Sequence, residues 1–151
     1  MSPEISVHDN SLLSYTVDSS EKCITLHTAY FDQEPYQFTD VVFTGVLAYH
    51  FEGDVFGTLL FDITETSAQH LYAAHKDLFE RRKNYGWPVL SYRTVEELMQ
   101  MLTSQNMRVF DISSSCGLNG FVMAQQMHWL SIPDPGIRPV FAGFPLSQSN
   151  L

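Results

Sequence analysis

The order of the hydrophobic periodicities constrains the fold more than any other feature of this chain. Up to Glu65 the apolar residues fall in short β-prone runs separated by turn residues, and beyond Thr66 they recur with helical spacing. Leu12–Val17 and Cys23–Tyr30 flank the polar cluster Asp18–Glu21, which predicts a β-hairpin. Strands in series followed by helices are typical of an α+β domain built on a mainly antiparallel sheet.

A second pair of β-prone runs follows the first. One extends from Phe38 to Phe51, with Gly45 as a bend or bulge, and the other from Val55 to Thr64. Glu52-Gly53-Asp54 lies between them and resembles the short connections that join adjacent strands. The stretch 47–65, LAYHFEGDVFGTLLFDITE, is therefore interpreted as a second hairpin.

Two capping sequences predict helices. Thr66-Ser67-Ala68-Gln69 opens a run that keeps helical spacing to about Lys83, and Thr94-Val95-Glu96-Glu97 opens another to about Ser104. Further strands are predicted at 89–92, 107–112 and 121–130. We predict a single domain over 1–151 with two helices packed on one face of the sheet. Its predicted parts are a β-rich segment 12–65, helices at about 66–83 and 94–104, and C-terminal strands with an irregular tail over 106–151.

The length and the apolar runs bound the class of protein. A chain of 151 residues is long enough to bury a core without metal or disulfide support. It has no apolar run near the roughly 20 residues of a membrane span, and MSPEISVHDNSLLSY does not resemble a secretory signal. We therefore expect a cytoplasmic protein without membrane contact, in which Cys23 and Cys116 are free thiols.

Negative charge is concentrated in the first part of the chain. Residues 1–65 contain eleven acidic residues and one basic residue, Lys22, whereas the net charge of the whole chain is −9 at pH 7. A surface of this sign repels the phosphates of nucleic acids and attracts basic partners. The sequence therefore predicts no direct nucleic-acid binding and favours a basic protein as the partner.

The sharpest candidate for catalytic chemistry is Cys116 in the small-residue loop Ser115-Cys116-Gly117, with His27, His50 or His128 as its base, and Asp62 with Glu65 could also serve acid–base work. Reactive cysteines lie close to basic residues, whereas the nearest one here is Arg108, so a small residue in a turn is the favoured interpretation. The six histidines lack the spacing of a metal site. We predict no catalytic residue, no metal and no cofactor, hence no enzyme.

Aromatic residues interleave with the acidic ones in two patches, one around Asp32 and Glu34 and one around Glu52 and Asp54. Rings that bury contact area and carboxylates that speed encounter with a basic partner suit a protein interface.

Residues 24–65, ITLHTAYFDQEPYQFTDVVFTGVLAYHFEGDVFGTLLFDITE, resemble the β-rich segment of small bacterial immunity proteins of polymorphic toxins, including those of contact-dependent growth inhibition. The resemblance implies a cytoplasmic protein that binds one toxin domain and covers its active site. Many such toxins are nucleases, which are basic because they hold phosphates. Toxin-binding residues are predicted at Asp32, Glu34, Tyr49, Glu52, Asp54, Asp62 and Glu65.

Other interpretations remain open at this point. Asp62 and Glu65 also fit solvent-facing charges that favour the start of the following helix. The helix 66–83 is an alternative contact surface. A small-ligand carrier would use Phe43, Phe61 and Trp129 to line an apolar pocket, and a small enzyme would use Cys116 or a histidine.

Overall fold

The computed structural model describes residues 6–139. Within them it has an α+β architecture with a mainly antiparallel sheet, as predicted. The strands are β1 (Ser11–Asp18), β2 (Cys23–Tyr30), β3 (Gln37–Thr44), β4 (Ala48–Glu52), β5 (Leu59–Thr66), β6 (Arg108–Cys116), β7 (Asn119–Ala124) and β8 (Gln126–Ile132). The helices are α1 (Ala68–Ala74), α2 (Lys76–Arg82) and α3 (Val95–Ser104), with a 3-10 turn at Lys83–Tyr85.

The eight strands form one sheet in the order β4-β7-β6-β5-β1-β2-β3-β8. The predicted first hairpin is confirmed, because β1 and β2 pair antiparallel up to Asp18 opposite Cys23. The Asp18 carboxylate accepts hydrogen bonds from Ser20 and from the Glu21 amide, and these bonds lower the pKa of Asp18. A local turn therefore fixes this pair of strands.

The predicted second hairpin, 47–65, is wrong. β4 pairs with β7, whereas β5 pairs with β6 and, through Leu59, with Ser11 of β1. The reason lies in β7, where residues 120–124 are all buried. A strand that is covered on both faces needs a neighbour at each edge to pair its backbone groups, and β4 supplies one of them.

Two long bent strands close the sheet on itself. β3 continues into β4 through a bend at Gly45, where φ is +61°, and β7 continues into β8 through Gln125. The predicted bend at Gly45 is thus confirmed. The Gln125 amide donates to the Thr44 carbonyl at 3.0 Å, and the two bent strands pair in both halves. The inner face of the curled sheet surrounds a cluster of buried apolar side chains.

Two apolar clusters make up the core. The inner cluster is enclosed by the curled sheet and consists of Val7, Ile24, Leu26, Val41, Phe43, Leu60, Ile63, Phe110, Ile112, Leu118, Val122 and Ala124. The outer cluster joins the helices to the outer face of β4, β7 and β6 through Ala48, Leu71, Leu78, Phe79, Val89, Tyr92, Leu98, Leu102, Val109, Phe121 and Met123. The helices therefore cover only part of the outer face.

The helix count differs from the prediction of two. The predicted helix 66–83 is divided at His75, whose backbone (φ −123°, ψ 31°) is not helical, into α1 and α2. The His75 ring packs against Phe121 of β7 with 4.9 Å between centroids, so sheet contact accompanies the break. The second predicted helix is confirmed as α3, and its cap Thr94 accepts a hydrogen bond from the Glu97 amide at 3.2 Å.

The remaining predictions have mixed outcomes. No strand forms at 89–92, where Val89 and Tyr92 pack into the outer cluster. The predicted strand 107–112 is β6, which extends to Cys116, and 121–130 falls within β7 and β8. Part of the predicted tail, residues 140–151, lies outside the described residues. Between residues 6 and 139 no helix is long and apolar enough to cross a membrane.

Candidate protein-binding surface

The connection between β4 and β5 carries the most exposed large apolar side chain of the described residues. Phe56 is 99% exposed and its neighbour Val55 is 51% exposed. Glu52 and Asp54, which precede them, are exposed as well. We call Glu52, Asp54, Val55 and Phe56 the β4–β5 loop surface. A ring left entirely in water beside two carboxylates is the arrangement expected of a contact residue rather than of a core residue.

The base of this loop is tied to the sheet by side-chain hydrogen bonds. The Tyr15 hydroxyl donates to Oδ2 of Asp54 at 2.7 Å. Oγ1 of Thr58, a buried residue, donates to the Val55 carbonyl at 2.9 Å and accepts from the Leu118 amide at 3.2 Å. The loop is therefore anchored on both sides of Phe56, which reduces the ordering cost of binding through it.

Aromatic rings support the same end of β4. Phe51 packs edge-on against Tyr15, with 5.3 Å between ring centroids, and in a tilted arrangement against Tyr49, with 5.1 Å. The hydrogen bond to Asp54, followed by burial and the charge of Asp54, raises the pKa of Tyr15. Tyr15 therefore remains a protonated donor at neutral pH. Tyr49, a predicted contact residue, is 39% exposed beside this cluster.

Asp62 lies on the same outer face of the sheet as Glu52. The register places Asp62 opposite Ser113 on β6 and Glu52 opposite Asn119 on β7. Asn119 also accepts a hydrogen bond from the Ser114 amide at 2.9 Å, which links the two middle strands. Three strand spacings of about 4.8 Å separate the two acids by roughly 14 Å. Asp62 therefore lies on the same face of the sheet as Glu52 but outside the loop surface.

Glu65 has a cationic partner inside the chain. Arg108 donates to both Glu65 carboxylate oxygens, at 2.8 and 2.9 Å, and its guanidinium lies 5.1 Å from the centroid of the Phe110 ring. The hydrogen bonds from Arg108 hold the pKa of Glu65 below its ordinary value. The local sequence offers no basic partner for Glu65, because Arg108 is 43 positions away. Glu65 is therefore engaged and does not join the loop surface.

Asp32 and Glu34 lie apart from the loop surface. Both are exposed in the connection between β2 and β3. Tyr15, which holds Asp54, is opposite Leu26, and the end of β2 at Tyr30 is four residues farther along. Four residues of strand correspond to about 13 Å. The seven predicted binding residues therefore do not form one continuous surface.

The sequence does not predict the roles of Val55 and Tyr15 at the loop. The sequence predicts that Val55 begins a strand and that Tyr15 belongs to the first hairpin, with no further role. Gly53 and Gly57, which have φ of +71° and +86°, were the available sign that 53–57 turns rather than extends. No sequence signal connects Tyr15 with Asp54, because sheet pairing brings them together.

A cleft of about 450 Å³ lies next to the loop surface, between β4 and the α1–α2 junction. Its polar lining residues are His50, Glu52, His75, Lys76, Asp77 and Arg81. Nε2 of His50 is 3.5 Å from Oε2 of Glu52. The centroids of the His50 and His75 rings are 6.3 Å apart. The cleft is lined by side chains of both charges. The described residues contain no group of three or more His, Cys, Asp or Glu side chains that could hold a metal ion. The cleft offers polar contacts that extend the loop surface.

The nucleophile suggested by the sequence is not assembled. Cys116 is exposed and both cysteines are free, as expected. The three candidate bases have other hydrogen-bond partners: His27 contacts Asp40 at 2.9 Å, His50 contacts Glu52, and His128 contacts Gln126 at 3.1 Å. Among residues 6–139 no histidine is hydrogen-bonded to the Cys116 thiol. The arrangement lacks the thiol–imidazole pair that this chemistry uses.

The apolar pocket of a ligand carrier is also not formed by the predicted residues. Phe43 is fully buried in the inner cluster, and Trp129 packs against the same cluster. Phe61 is 51% exposed and packs edge-on against His8, with 5.1 Å between ring centroids. The three side chains therefore do not line a common cavity.

The loop surface combines an apolar anchor, two carboxylates and a fixed base, which together suit recognition of a protein. Comparison with known proteins does not extend this description: no protein-family model, curated protein or solved structure matches the chain.

Proposed function

We propose that this protein is a cytoplasmic immunity protein that binds a basic toxin domain one-to-one through the β4–β5 loop surface and covers its active site. The observation that carries the proposal is the complete exposure of Phe56 next to the acidic residues Glu52 and Asp54. The resemblance of residues 24–65 to immunity proteins of polymorphic toxins supports the choice of partner.

Phe56 would supply the apolar anchor of the complex. Burying a phenylalanine side chain that was fully in water contributes about 1.5–3 kcal/mol. Because hydrogen bonds at Asp54 and Thr58 hold the loop, little additional ordering would oppose that gain. Anchors of this kind, packed into a partner pocket and ringed by weaker contacts, dominate the energy of most interfaces.

The carboxylates would select the partner. The Glu52 side chain is 62% exposed, and the whole chain has a net charge of −9. An acidic surface accelerates encounter with a basic one and disfavours acidic competitors. A nuclease toxin presents lysine and arginine side chains where it holds phosphates. The acidic loop would occupy that surface in place of the nucleic acid.

The test is protection of a bacterial host that expresses the product of the open reading frame immediately upstream. Wild-type protein is expected to restore growth and to copurify with that product in equal amounts. Phe56→Ala is expected to lose most of the protection. Leu90→Ala is the matched control, because Leu90 is an apolar side chain 77% exposed outside the loop surface, and protection should persist.

Two results would contradict the proposal. The first is a toxic upstream product that wild-type protein neither binds nor neutralises. The second is full protection by Phe56→Ala with unchanged affinity, which would place the interface elsewhere, for instance on α1 and α2.

A further inference from the structure

Residues 115–119, which we call the β6–β7 turn, lie against the β4–β5 connection. The Leu118 amide in this turn donates to Oγ1 of Thr58, at the end of the connection, at 3.2 Å. At the start of the connection, a Cβ built on Gly53 would lie 3.0 Å from the Gly117 carbonyl oxygen. The β6–β7 turn therefore touches both ends of the segment that exposes the apolar anchor.

The side chains that flank the β6–β7 turn are exposed, and its backbone is held in shape. Ser115, Cys116 and Asn119 are all exposed. Asn119 accepts a hydrogen bond from the Ser114 amide at 2.9 Å and donates one to the Gly117 carbonyl at 3.1 Å. Because these bonds already order the turn, little conformational entropy is lost when a partner covers it.

Cys116 is close enough to Phe56 to fall under the same partner. The register places Cys116 opposite Leu59, and such pairs have Cα atoms about 5 Å apart. The three residues of chain from Leu59 to Phe56 span at most about 11 Å. A stable interface takes about 800 Å² from each partner, which corresponds to a disc of about 16 Å radius. A disc of this size centred on Phe56 therefore reaches the β6–β7 turn.

The charges around the β4–β5 loop surface distinguish this turn from the neighbouring cleft. Residues 109–119 include no Lys or Arg, and Asp111 is the only charged residue among them. The cleft is instead lined by Lys76 and Arg81 as well as by acidic residues. A basic partner is repelled by those two cations, and it meets no such repulsion at the turn.

We propose that the toxin domain covers the β6–β7 turn together with the β4–β5 loop surface, so that Cys116 is buried in the complex. This inference rests on the proposed function and adds a second segment to its interface. The four residues of the β4–β5 loop surface are far fewer than the roughly 20–30 residues that each side of a stable interface contributes. The β6–β7 turn is in direct contact with that surface and brings no cation to it.

The rate of alkylation of Cys116 by iodoacetamide tests this proposal. In a Cys23→Ser background Cys116 is the only thiol of the chain, and mass spectrometry of its peptide gives the rate. The full chain is labelled alone and in its purified complex with the product of the upstream open reading frame. Complex formation is expected to slow the reaction by roughly tenfold or more, because alkylation requires access to the thiol.

A thiol at position 100 provides the matched control, in the variant Cys23→Ser, Cys116→Ser, Gln100→Cys. Gln100 is exposed on α3, which packs beside Val109 at the other end of β6. Seven residues of strand, or about 23 Å, separate Val109 from Cys116. The control thiol should react at nearly the same rate in the free and the bound protein.

Two lysine substitutions in the otherwise wild-type chain test the same contact by affinity. Cys116→Lys is expected to raise the Kd for the upstream product roughly tenfold or more, because it sets a cation against a basic surface. Gln100→Lys makes the same change in net charge and should alter the Kd by no more than about twofold, because solvent ions screen a charge at that distance. Circular dichroism should show both variants folded.

The possible failures are distinguishable. Alkylation of Cys116 at the same rate in the free and the bound protein would overturn this inference and leave the immunity function standing. Equal protection of the two thiols, or an equal rise in Kd for the two lysine variants, would overturn it as well, because the effect would not be local to the β6–β7 turn. An upstream product that wild-type protein does not bind would overturn the proposed function, and this inference with it.

Discussion

The hydroxyl of Tyr15 and the carboxylate of Asp54 are joined by a 2.7 Å hydrogen bond across 39 positions of sequence. Tyr15 belongs to β1, whereas Asp54 lies in the connection after β4, so the bond links two parts of the sheet that share no strand ladder. It holds the start of the loop that exposes Phe56. The shape of the loop surface consequently depends on a residue outside it.

Tyr15→Phe should loosen the loop without disturbing the core. The substitution keeps the ring contact with Phe51 and removes only the hydroxyl. The expected loss in the free energy of unfolding is at most about 1 kcal/mol, since one partly exposed hydrogen bond is lost. Hydrogen exchange should become faster at residues 53–57. Tyr85→Phe, at a ring 81% exposed, is the control, and unchanged exchange at 53–57 in Tyr15→Phe would show that the bond does not hold the loop.

The same bond gives stability a defined dependence on alkaline pH. The pKa of Tyr15 is raised above 10.0 in the folded protein, chiefly by its hydrogen bond to Asp54. The protonated hydroxyl is therefore favoured by folding. Its contribution is fully present below the unfolded pKa and is lost as pH rises through the higher folded pKa. The free energies of unfolding of wild type and Tyr15→Phe, measured in urea, should differ at neutral pH. They should become equal once the pH exceeds the folded pKa of Tyr15.

Glu65 and Arg108 should give the opposite pH dependence. Hydrogen bonds from Arg108 hold the pKa of Glu65 below 4.5, so the charged carboxylate is favoured by folding. Its contribution is present above the unfolded pKa and is lost as pH falls through the lower folded pKa. Both side chains are about half exposed, so solvent screening limits the contribution to about 1 kcal/mol or less.

Urea unfolding of Glu65→Gln should therefore show a small loss relative to wild type at neutral pH and low salt. The loss should shrink in high salt and disappear in acid. A difference that persists below the folded pKa would indicate that packing against Arg108, rather than charge, is responsible.

Local signals in the sequence predicted individual turns, helices and strands better than they predicted which strands pair. The turn after Asp18 and the cap at Thr94 act within a few residues, and both predictions hold. The pairing of β4 was missed because it depends on β7, about 70 positions later, and on burial of both faces of that strand. The same limit applies at the loop surface, where the sequence does not predict that Tyr15 holds Asp54 or that Arg108 pairs with Glu65, because sheet pairing brings these residues together.

Gly120→Ala tests whether β4 and β7 must approach as closely as the structure shows. A Cβ at Gly120 would overlap the His50 carbonyl oxygen and lie 3.0 Å from the Phe51 Cα, so backbone atoms would have to move. Overpacking of this kind costs about 1–3 kcal/mol. The free energy of unfolding should fall by that amount, whereas Ser115→Ala, at an exposed position of β6, should be neutral. A neutral Gly120→Ala would contradict the β4–β7 pairing.

Charge reversal tests whether the loop acids steer the toxin. The double variant Glu52→Lys and Asp54→Lys changes the net charge from −9 to −5, because each substitution adds two positive charges. Stopped-flow association with the toxin domain should slow by roughly tenfold or more at low salt, and the rate should respond less to added salt. Glu52→Gln with Asp54→Asn should lie between wild type and the reversal.

The matched control for that experiment is Asp32→Lys with Glu34→Lys, which makes the same change in net charge in the exposed connection between β2 and β3. If steering depends on position, the control should reduce the association rate much less, because screening weakens charges that lie more than about 8–10 Å from the interface. Equal slowing by both double variants would mean that the total charge of the chain, and not the β4–β5 loop surface, attracts the partner.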